Sequence, residues 1–217
     1  MSARRERLVV GIDTGGTFTD LVVLAGAELR VHKTPSTPDD PARAVLAGLR
    51  EVLAGMDAEL VTYSSTVATN ALLEKKGARV AIVTNAGFED LIEIGRQNRD
   101  QLYALVPTRP DPLVPRALRI GVRERTLFDG AIAQPLTSSE IARIKRLAVR
   151  VNADSYAVCL LHSYANPHSE NRIARALAAL RKPLSVSHRI VAEYREYERF
   201  STAVVNAYVA PRMSSHL

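Results

Sequence analysis

The sequence predicts an α/β protein built on a mixed sheet, in which an antiparallel meander comes first and β-α-β crossovers follow. Near the amino terminus, three apolar, β-rich runs are separated only by tight turns at Gly15–Gly16 and Gly26–Ala27. Strands with such short connections pair antiparallel, because a parallel crossover needs a dozen or more residues. From Leu60 onwards strand and helix patterns alternate, which favours parallel pairing through helical crossovers.

The elements of the first half follow from hydrophobic periodicity and turn residues. After the meander, a Pro-rich loop leads into a helix whose inner face carries Ala44, Val45, Leu49 and Val52. The predicted elements are strands over 7–12, 18–25 and 28–33, a helix over 40–53, a strand over 60–64, a helix over 66–76, a strand over 79–84 and a helix over 88–94.

A cluster of prolines predicts a boundary between two domains, at residue 110. The first predicted domain, residues 1–110, holds the hairpin and a β-α-β unit, and the second, residues 111–217, is a further α/β portion that leads into a lobe outside this chain. In the second domain, Asp129–Gly130 is a strong hairpin signal. Its predicted elements are strands over 118–128 and 131–134, a helix over 138–149, a strand over 155–161, a helix over 167–180, a strand over 184–187 and a helix over 196–209.

The composition is that of a folded globular protein. The 217 residues are 47% hydrophobic and 24% charged, both close to the average. No apolar run reaches the roughly 18 residues that a membrane-spanning helix needs, so we expect a cytoplasmic protein with no membrane partner. The single cysteine, Cys159, excludes intramolecular disulfides, and its apolar neighbours predict a buried strand position.

The net charge of +6 does not predict a nucleic-acid partner. Basic residues are interleaved with acidic ones, as over 43–51 and 189–199, rather than gathered in one block. Aromatic residues make up only 5% and Trp is absent, which leaves few platforms on which bases could stack.

The turn that follows the first strand has the residue types of a phosphate site. Gly15 and Gly16 have no side-chain bulk and are able to adopt positive φ, so backbone N–H groups can converge on a ligand. Asp13 offers a carboxylate to Mg²⁺ through water and is the candidate catalytic and metal-binding residue. The alternative is a hairpin turn with no ligand. The candidate nucleotide-binding residues are Thr14, Gly15, Gly16, Thr17 and Thr19.

Two later segments predict a substrate site. Thr66, Thr69 and Asn70 begin a predicted helix, where hydroxyl and N–H groups are able to face a ligand. Arg96, Gln97 and Asn98 follow a glycine, and a guanidinium with two amides suits a carboxylate or an imide-like group. The alternatives are a capped surface helix for the first segment and a solvated loop for the second.

These segments resemble, in order and spacing, the hydantoinase/oxoprolinase family. The strand, Gly-Gly-Thr turn and strand also resemble the first phosphate segment of actin-, Hsp70- and sugar-kinase-like ATPases, which clamp ATP between two lobes. The resemblance therefore implies an actin/Hsp70-like (ribonuclease H-like) fold, with ATP and Mg²⁺ as cofactors. The matching segments are Gly11–Asp20, Lys33–Pro38, Ser65–Ala78, Ile94–Arg99, Asn166–Pro167, Glu193–Arg199 and Asn206–Tyr208.

The resemblance also implies a function. The family couples ATP to the opening of cyclic amides such as hydantoins and 5-oxoproline, and its carboxylase branch carboxylates ketones. We therefore expect the amino-terminal lobe of an ATP-dependent cyclic-amide hydrolase, which acts with a carboxy-terminal portion and a second subunit and is inactive as an isolated chain. The alternatives are a non-catalytic or regulatory fragment, a sugar- or acetate-kinase-like phosphotransferase, and the ATP-binding subunit of a ketone carboxylase.

The sequence departs from the family pattern in the Asn-Pro motif, where His168 lies one position before the usual His and Ser169 takes its place, and also at position 63. Tyr63 stands where most relatives carry His, and this change removes a residue able to titrate near pH 7 or to bind a metal.

Overall fold

The chain forms two compact units in a computed structural model that describes residues 8–37, 40–98, 101, 103, 105 and 111–214. The first unit comprises the described residues up to Lys76 together with those from Arg212 onwards, and the second runs from Gly77 to Pro211. This division differs from the boundary predicted at residue 110, because the strand that begins at Val80 pairs with strands of the second unit. Arg99, Pro107 and Pro110 lie outside the described residues.

The first unit contains a four-stranded mixed sheet in the order β3-β2-β1-β4. The first three strands form the predicted antiparallel meander, and β4 pairs parallel to β1 after a helical crossover. Both features of the predicted topology are confirmed. The strands are β1 (Leu8–Thr14), β2 (Phe18–Ala25), β3 (Glu28–Pro35) and β4 (Leu60–Ser65), and the helices are α1 (Pro41–Leu53) and α2 (Val67–Leu73).

Helix α1 covers one face of this sheet. Val10, Ile12 and Leu21 form its buried core, against which the predicted inner face of α1 packs. A Cβ atom at Gly48 would come within 2.6 Å of Leu21 Cδ1, so the glycine lets the helix backbone approach the sheet closely. Tyr63 is partly buried against the same core, and its side chain therefore contributes to packing.

The second unit contains a four-stranded parallel sheet in the order β10-β9-β5-β6. The strand predicted over 118–128 is two strands: β6 pairs with β5, and β7 pairs with β8 in the predicted hairpin. The strands are β5 (Val80–Asn85), β6 (Arg119–Val122), β7 (Arg125–Thr126), β8 (Ile132–Gln134), β9 (Ser155–Cys159) and β10 (Leu184–Val186). The helices are α3 (Leu91–Ile94), α4 (Ser138–Val151), α5 (His168–Ala178), α6 (Ser187–Ile190) and α7 (Glu196–Ser214), with one turn of 3₁₀-helix at Arg116–Leu118.

The two central strands of this sheet are buried along their whole length. Cys159 lies at the end of β9 and is buried, as predicted. Burial raises the pKa of the Cys159 thiol well above its ordinary value, Glu170 adds to the shift, and Arg199 opposes it. The cysteine is therefore a packed apolar residue and not a nucleophile.

Two of the family-like segments meet in the second unit. A Cβ atom at Gly77 would come within 2.1 Å of the Tyr208 ring, and the N–H of Ala78 donates to the Tyr208 carbonyl at 2.9 Å. Any larger residue at Gly77 would displace the ring. The two segments therefore have a shared structural role.

Candidate functional site

The turn between β1 and β2 is held in place by the end of β3. The N–H of Ser36 donates to the Thr17 carbonyl at 2.9 Å, and its hydroxyl donates to the Gly15 carbonyl at 2.9 Å. The N–H of Gly15 donates to the Phe18 carbonyl at 2.9 Å, which closes the turn. These bonds fix the path of the turn and leave its outer side exposed at Gly16 and Thr17.

The prediction of positive φ at the two glycines is wrong. Positive φ occurs at other glycines but at neither Gly15 nor Gly16. Instead, a Cβ atom at Gly15 would lie 3.3 Å from the Phe18 carbonyl oxygen, whereas a Cβ atom at Gly16 would meet no described atom within 4 Å. A glycine is thus favoured at position 15 because the Phe18 carbonyl oxygen lies close to it, whereas Gly16 leaves open space on the outer side of the turn.

A charged row crosses the sheet beside this turn. Asp13 on β1 is the cross-strand partner of Asp20 on β2, which in turn pairs with Lys33 on β3. Directly paired residues project from the same face of a sheet. Lys33 Nζ lies 3.2 Å from Asp20 Oδ1 and 5.0 Å from the centre of the Phe18 ring. Two carboxylates side by side repel each other unless a cation compensates, so the row suits a bound cation next to Asp13.

The three threonines of the turn differ in environment. Thr17 is exposed. Thr14 is buried, and its hydroxyl has no hydrogen-bond partner within the described part of the chain. A buried hydroxyl without a partner costs free energy, and it marks Thr14 as a free donor. Thr19 is fully buried and its hydroxyl lies 3.0 Å from the Ser36 hydroxyl. The geometry therefore gives Thr19 a role in holding the turn, which differs from the predicted contact with nucleotide.

The first predicted substrate segment lies at the end of the same sheet. The N–H of Thr66 approaches the Thr14 carbonyl at 3.4 Å, so the residue that precedes α2 adjoins the turn. Asn70 Nδ2 donates to the Thr66 hydroxyl at 3.3 Å. Thr66 and Thr69 are exposed, and Asn70 is partly exposed. The first unit thus brings Thr66 next to the turn that carries Asp13.

The second predicted substrate segment lies in the second unit. Arg96, Gln97 and Asn98 line a pocket of about 290 Å³ together with residues of α3 and α7. Gly95 has φ of 56° and Gln97 has φ of 59°. A residue other than glycine with positive φ is uncommon and tends to occur at functional sites. The candidate residues therefore fall into two groups, one in each unit.

A second cavity does not coincide with the turn. It has a volume of about 820 Å³ and is lined by residues such as Leu8, Ala25 and Asp57. Leu8 is the first residue of β1 and Asp13 is near its other end. We place the candidate phosphate site at the turn, because that end of the sheet has the exposed carboxylate and the unpartnered hydroxyl.

Sequence reasoning missed three residues that lie beside the turn. Ser36, Asp20 and Lys33 belong to segments that were identified by resemblance without a role. The signal that could have found Asp20 and Lys33 is the register of the meander. Counting residues outward from each tight turn pairs Asp13 with Asp20 and Asp20 with Lys33.

Neither a clustered metal site nor a membrane span is found in the described ranges. Across residues 8–37, 40–98 and 111–214, no three His, Cys, Asp or Glu side chains are grouped as a metal site would require. No helix in these ranges is long and apolar enough to cross a bilayer.

The fold and the turn together define an α/β protein with a Gly-Gly hairpin at the end of a mixed sheet. The chain belongs to the hydantoinase/oxoprolinase family: residues 9–180 match the part of the family that is described as "Hydantoinase/oxoprolinase N-terminal region".

Comparison with known proteins places several enzyme subunits near this chain. The acetophenone carboxylase gamma subunit of Aromatoleum aromaticum is 34% identical, covering 96% of this chain and 32% of that protein. The caprolactamase subunit alpha of Pseudomonas jessenii is 33% identical, covering 100% and 33%. The nucleotide-free structure of acetone carboxylase matches with a TM-score of 0.85 at 30% identity, covering 95% and 32%. The chain thus spans about a third of the length of these relatives.

Proposed function

We propose that the chain is the amino-terminal, phosphate-binding part of an ATP-dependent enzyme that hydrolyses cyclic amides. The observation that carries this proposal is the end of β1 with the turn that follows it, where Asp13 is exposed, Gly16 leaves open space and the buried Thr14 hydroxyl has no partner among the described residues. Membership of the family supports it, as does the similarity to an ATP-dependent caprolactamase from Pseudomonas jessenii.

Asp13, Gly16 and Lys33 have complementary roles in this proposal. Asp13 would hold Mg²⁺ through water, which is how Mg²⁺ is usually bound near phosphates, and the ion would supply charge neutralisation for phosphoryl transfer. The open space beside Gly16 lets a phosphate oxygen approach the backbone and the exposed Thr17 hydroxyl, and the unpartnered Thr14 hydroxyl is a further donor. Lys33, on the same face as Asp13, supplies a positive charge for the phosphates.

The proposed reaction activates the amide before water opens it. The amide oxygen attacks the terminal phosphorus of ATP, the bond to the bridging oxygen breaks, and ADP leaves. Water then adds to the activated carbon, and the C–N bond breaks as the nitrogen takes a proton. A second water cleaves the resulting acyl phosphate and releases phosphate. In this proposal, Asp13 of this chain positions the phosphates. The residues proposed to bind the substrate are Arg96, Gln97, Asn98, Thr66, Thr69 and Asn70.

The proposed complete enzyme includes polypeptide beyond these 217 residues. Because the chain spans about a third of its relatives, we propose that a carboxy-terminal portion supplies the remaining phosphate donors and the adenosine contacts, and that a second subunit completes the enzyme. Losing two or three charge-assisted hydrogen bonds weakens affinity by about 10² to 10⁶-fold. The isolated chain is therefore expected to fold without turning over ATP.

Phosphate release in the complete enzyme tests the proposal. Hydantoin, 5-oxoproline and acetone are supplied in turn with ATP and Mg²⁺, and we expect release that depends on one of the cyclic amides. Asp13→Ala should abolish this release while leaving the unfolding transition unchanged. Asp57→Ala is the matched control, since Asp57 is exposed and lies away from the turn. Wild-type release by Asp13→Ala would exclude the assignment.

A ketone carboxylase is the second candidate, because carboxylase subunits are among the relatives. The same assay separates the two functions. Phosphate release that requires both acetone and bicarbonate would identify a carboxylase, whereas release with a cyclic amide alone would identify a hydrolase.

A further inference from the structure

The pocket beside Tyr197 is less positively charged than Arg96 in the sequence suggests. Arg96 is its only lining cation among the described residues. Arg96 Nε donates to Glu198 Oε1 at 2.5 Å, and Arg96 Nη2 contacts the same oxygen. The two residues are 102 positions apart in the chain, so only folding brings them together. The positive charge that would attract a carboxylate is already paired.

No further cation lines the pocket among the described residues, and Arg195, which is not one of the lining residues, also acts on the Glu198 carboxylate and lowers its pKa. Glu93 also lines the pocket and is paired with Arg119 at 2.7 Å. Asp111 lines it and has no partner among the described residues. An unpaired carboxylate repels an anionic ligand. Among the described residues that line the pocket, Asp111 is therefore the one charge without a partner, and it is negative.

Its unpaired neutral groups suit an amide. Gln97 and Asn98 are exposed and line the pocket. The Tyr197 ring lies beside Gly95, since a Cβ atom at Gly95 would be 3.4 Å from Tyr197 Cζ. A carboxamide side chain has both an N–H donor and a C=O acceptor. A ring amide has the same two groups and is able to bond to it in a paired, two-point manner.

We propose that Glu198 is a specificity-determining residue, which pairs with Arg96 so that this pocket selects an uncharged cyclic amide over one that carries a carboxylate. The inference rests on the proposed function and deepens it by naming the charge class of the substrate. A carboxylate-bearing substrate would have to displace Glu198 from Arg96, exchanging one ion pair for another. It would gain little, because an exposed ion pair contributes at most about 1 kcal/mol, which is about fivefold in affinity.

Two ligands that differ only by a carboxylate test the proposal. Binding of 2-pyrrolidinone and of 5-oxoproline to the 217-residue chain is measured by ligand-detected NMR, which reports millimolar dissociation constants. For the natural sequence we expect 2-pyrrolidinone to bind at least about threefold more tightly than 5-oxoproline. Tighter binding of 5-oxoproline, or no binding of either ligand, would overturn the proposal.

Charge variants locate the cause of the preference. Glu198→Gln keeps the size of the side chain and frees the Arg96 charge, so it should improve binding of 5-oxoproline by about threefold to fivefold and leave 2-pyrrolidinone unchanged. In the double variant Arg96→Ala with Glu198→Gln, the gain should disappear. Glu193→Gln is the matched control, because Glu193 is exposed and does not line the pocket.

The outcomes are separable from those of the proposed function. Glu198→Gln with an unchanged ligand ratio would remove Glu198 from the specificity role, provided that the variant unfolds at the same urea concentration as the natural sequence. Asp111→Asn serves as a second variant, and it should also favour 5-oxoproline. Asp13→Ala should not alter either ligand constant. If it abolishes phosphate release in the complete enzyme while the lactam preference is absent, the proposed function stands and this inference fails.

Discussion

Two charged clusters of the molecule differ in how completely their groups are paired. In the first unit, Asp13, Asp20 and Lys33 lie in an exposed row beside the turn, and Asp13 is left without an ion-pair partner within the described residues. In the second unit, Arg199 and Glu170 are both buried, with exposed fractions of 1% and 0%. Arg199 donates to the Leu160 carbonyl at 2.9 Å and contacts Glu196, Ser163 and Ser187.

The buried cluster is almost saturated. Glu170 accepts from the Leu160 N–H at 2.7 Å, from the Ser187 hydroxyl at 2.7 Å and from His188 Nδ1 at 2.6 Å. Burial lowers the pKa of the Arg199 guanidinium, and Glu170 opposes that shift. Groups so enclosed have no room for a ligand, whereas the exposed row is open to one. The contrast distinguishes a structural cluster from a candidate site, although Arg199 and Asp13 both lie in segments that resemble the same family.

The largest expected effect is on stability and comes from the buried cluster. Arg199→Leu leaves Glu170 as a buried carboxylate without its cation, and breaking a buried pair in this way costs about 3–5 kcal/mol. Urea unfolding of the full chain measures the loss. Arg175→Leu is the control, because Arg175 is exposed on α5. A loss below about 1 kcal/mol for Arg199→Leu would show that the cluster does not stabilise the second unit.

The exposed row should respond in the opposite manner. Lys33→Met is expected to leave the free energy of unfolding within about 0.5 kcal/mol, because exposed ion pairs contribute little. In the complete enzyme it should weaken binding of nucleotide by about fivefold to tenfold, since charge-assisted hydrogen bonds contribute more than neutral ones. Equilibrium titration with ATP and Mg²⁺ measures the affinity. Unchanged affinity would remove Lys33 from the site and leave Asp13 as the charged group of the row.

The two glycines of the turn sharpen the comparison within a single loop. Gly15→Ala should cost about 1 kcal/mol of stability, because its Cβ would press on the Phe18 carbonyl at 3.3 Å. Gly16→Ala should cost less than about 0.5 kcal/mol, yet weaken nucleotide binding by filling the open space. Thermal unfolding and ATP titration of both variants test this. Equal stability losses at the two positions would contradict the assignment of open space to Gly16.

The meander and the crossover could be predicted from the sequence because each depends on local signals. Tight turns at Gly15–Gly16 and Gly26–Ala27 require antiparallel pairing, and the helix before β4 allows parallel pairing to β1. The position of β5 could not be predicted in the same way. Its residues are buried throughout, and the first four are apolar, so the pattern fits a buried strand in either sheet, and the choice depends on partners that are distant in the chain.

The residues of the candidate site stay a prediction, and their environment could be predicted from the sequence only in part. Asp13 and Gly16 are exposed as a ligand site requires. The conformation of the two glycines was not predictable, because glycine permits positive φ without requiring it. Arg96, Gln97 and Asn98 are predicted to suit a carboxylate or an imide-like group of a substrate, and in the structure Arg96 contacts the carboxylate of Glu198. A contact across 102 positions has no local signal in one sequence.

The last prediction concerns a carboxylate that is intermediate between the two clusters. Glu140 is buried near the start of α4, accepts from the Arg123 N–H at 2.9 Å, and pairs with Arg143 at 2.6 Å. The hydrogen bond from Arg143 lowers the pKa of Glu140 below its ordinary value, an effect that burial opposes and the Arg123 N–H supports. Because the folded-state pKa is lowered, the stabilisation is present above the ordinary carboxyl pKa of about 4.3 and is lost as pH falls through the folded-state value.

Glu140→Gln should therefore cost about 0.5–1.5 kcal/mol at pH 7, the contribution of an ordinary hydrogen bond, and progressively less as the pH falls below about 4.3. Urea unfolding of the natural sequence and of the variant between pH 7 and pH 3 measures the difference. Glu193→Gln, at an exposed position, should show no such dependence. If the cost of Glu140→Gln were the same at pH 3 as at pH 7, the loss would arise from packing, and Glu140 would belong with the neutral core and not with the charged groups that stabilise the second unit.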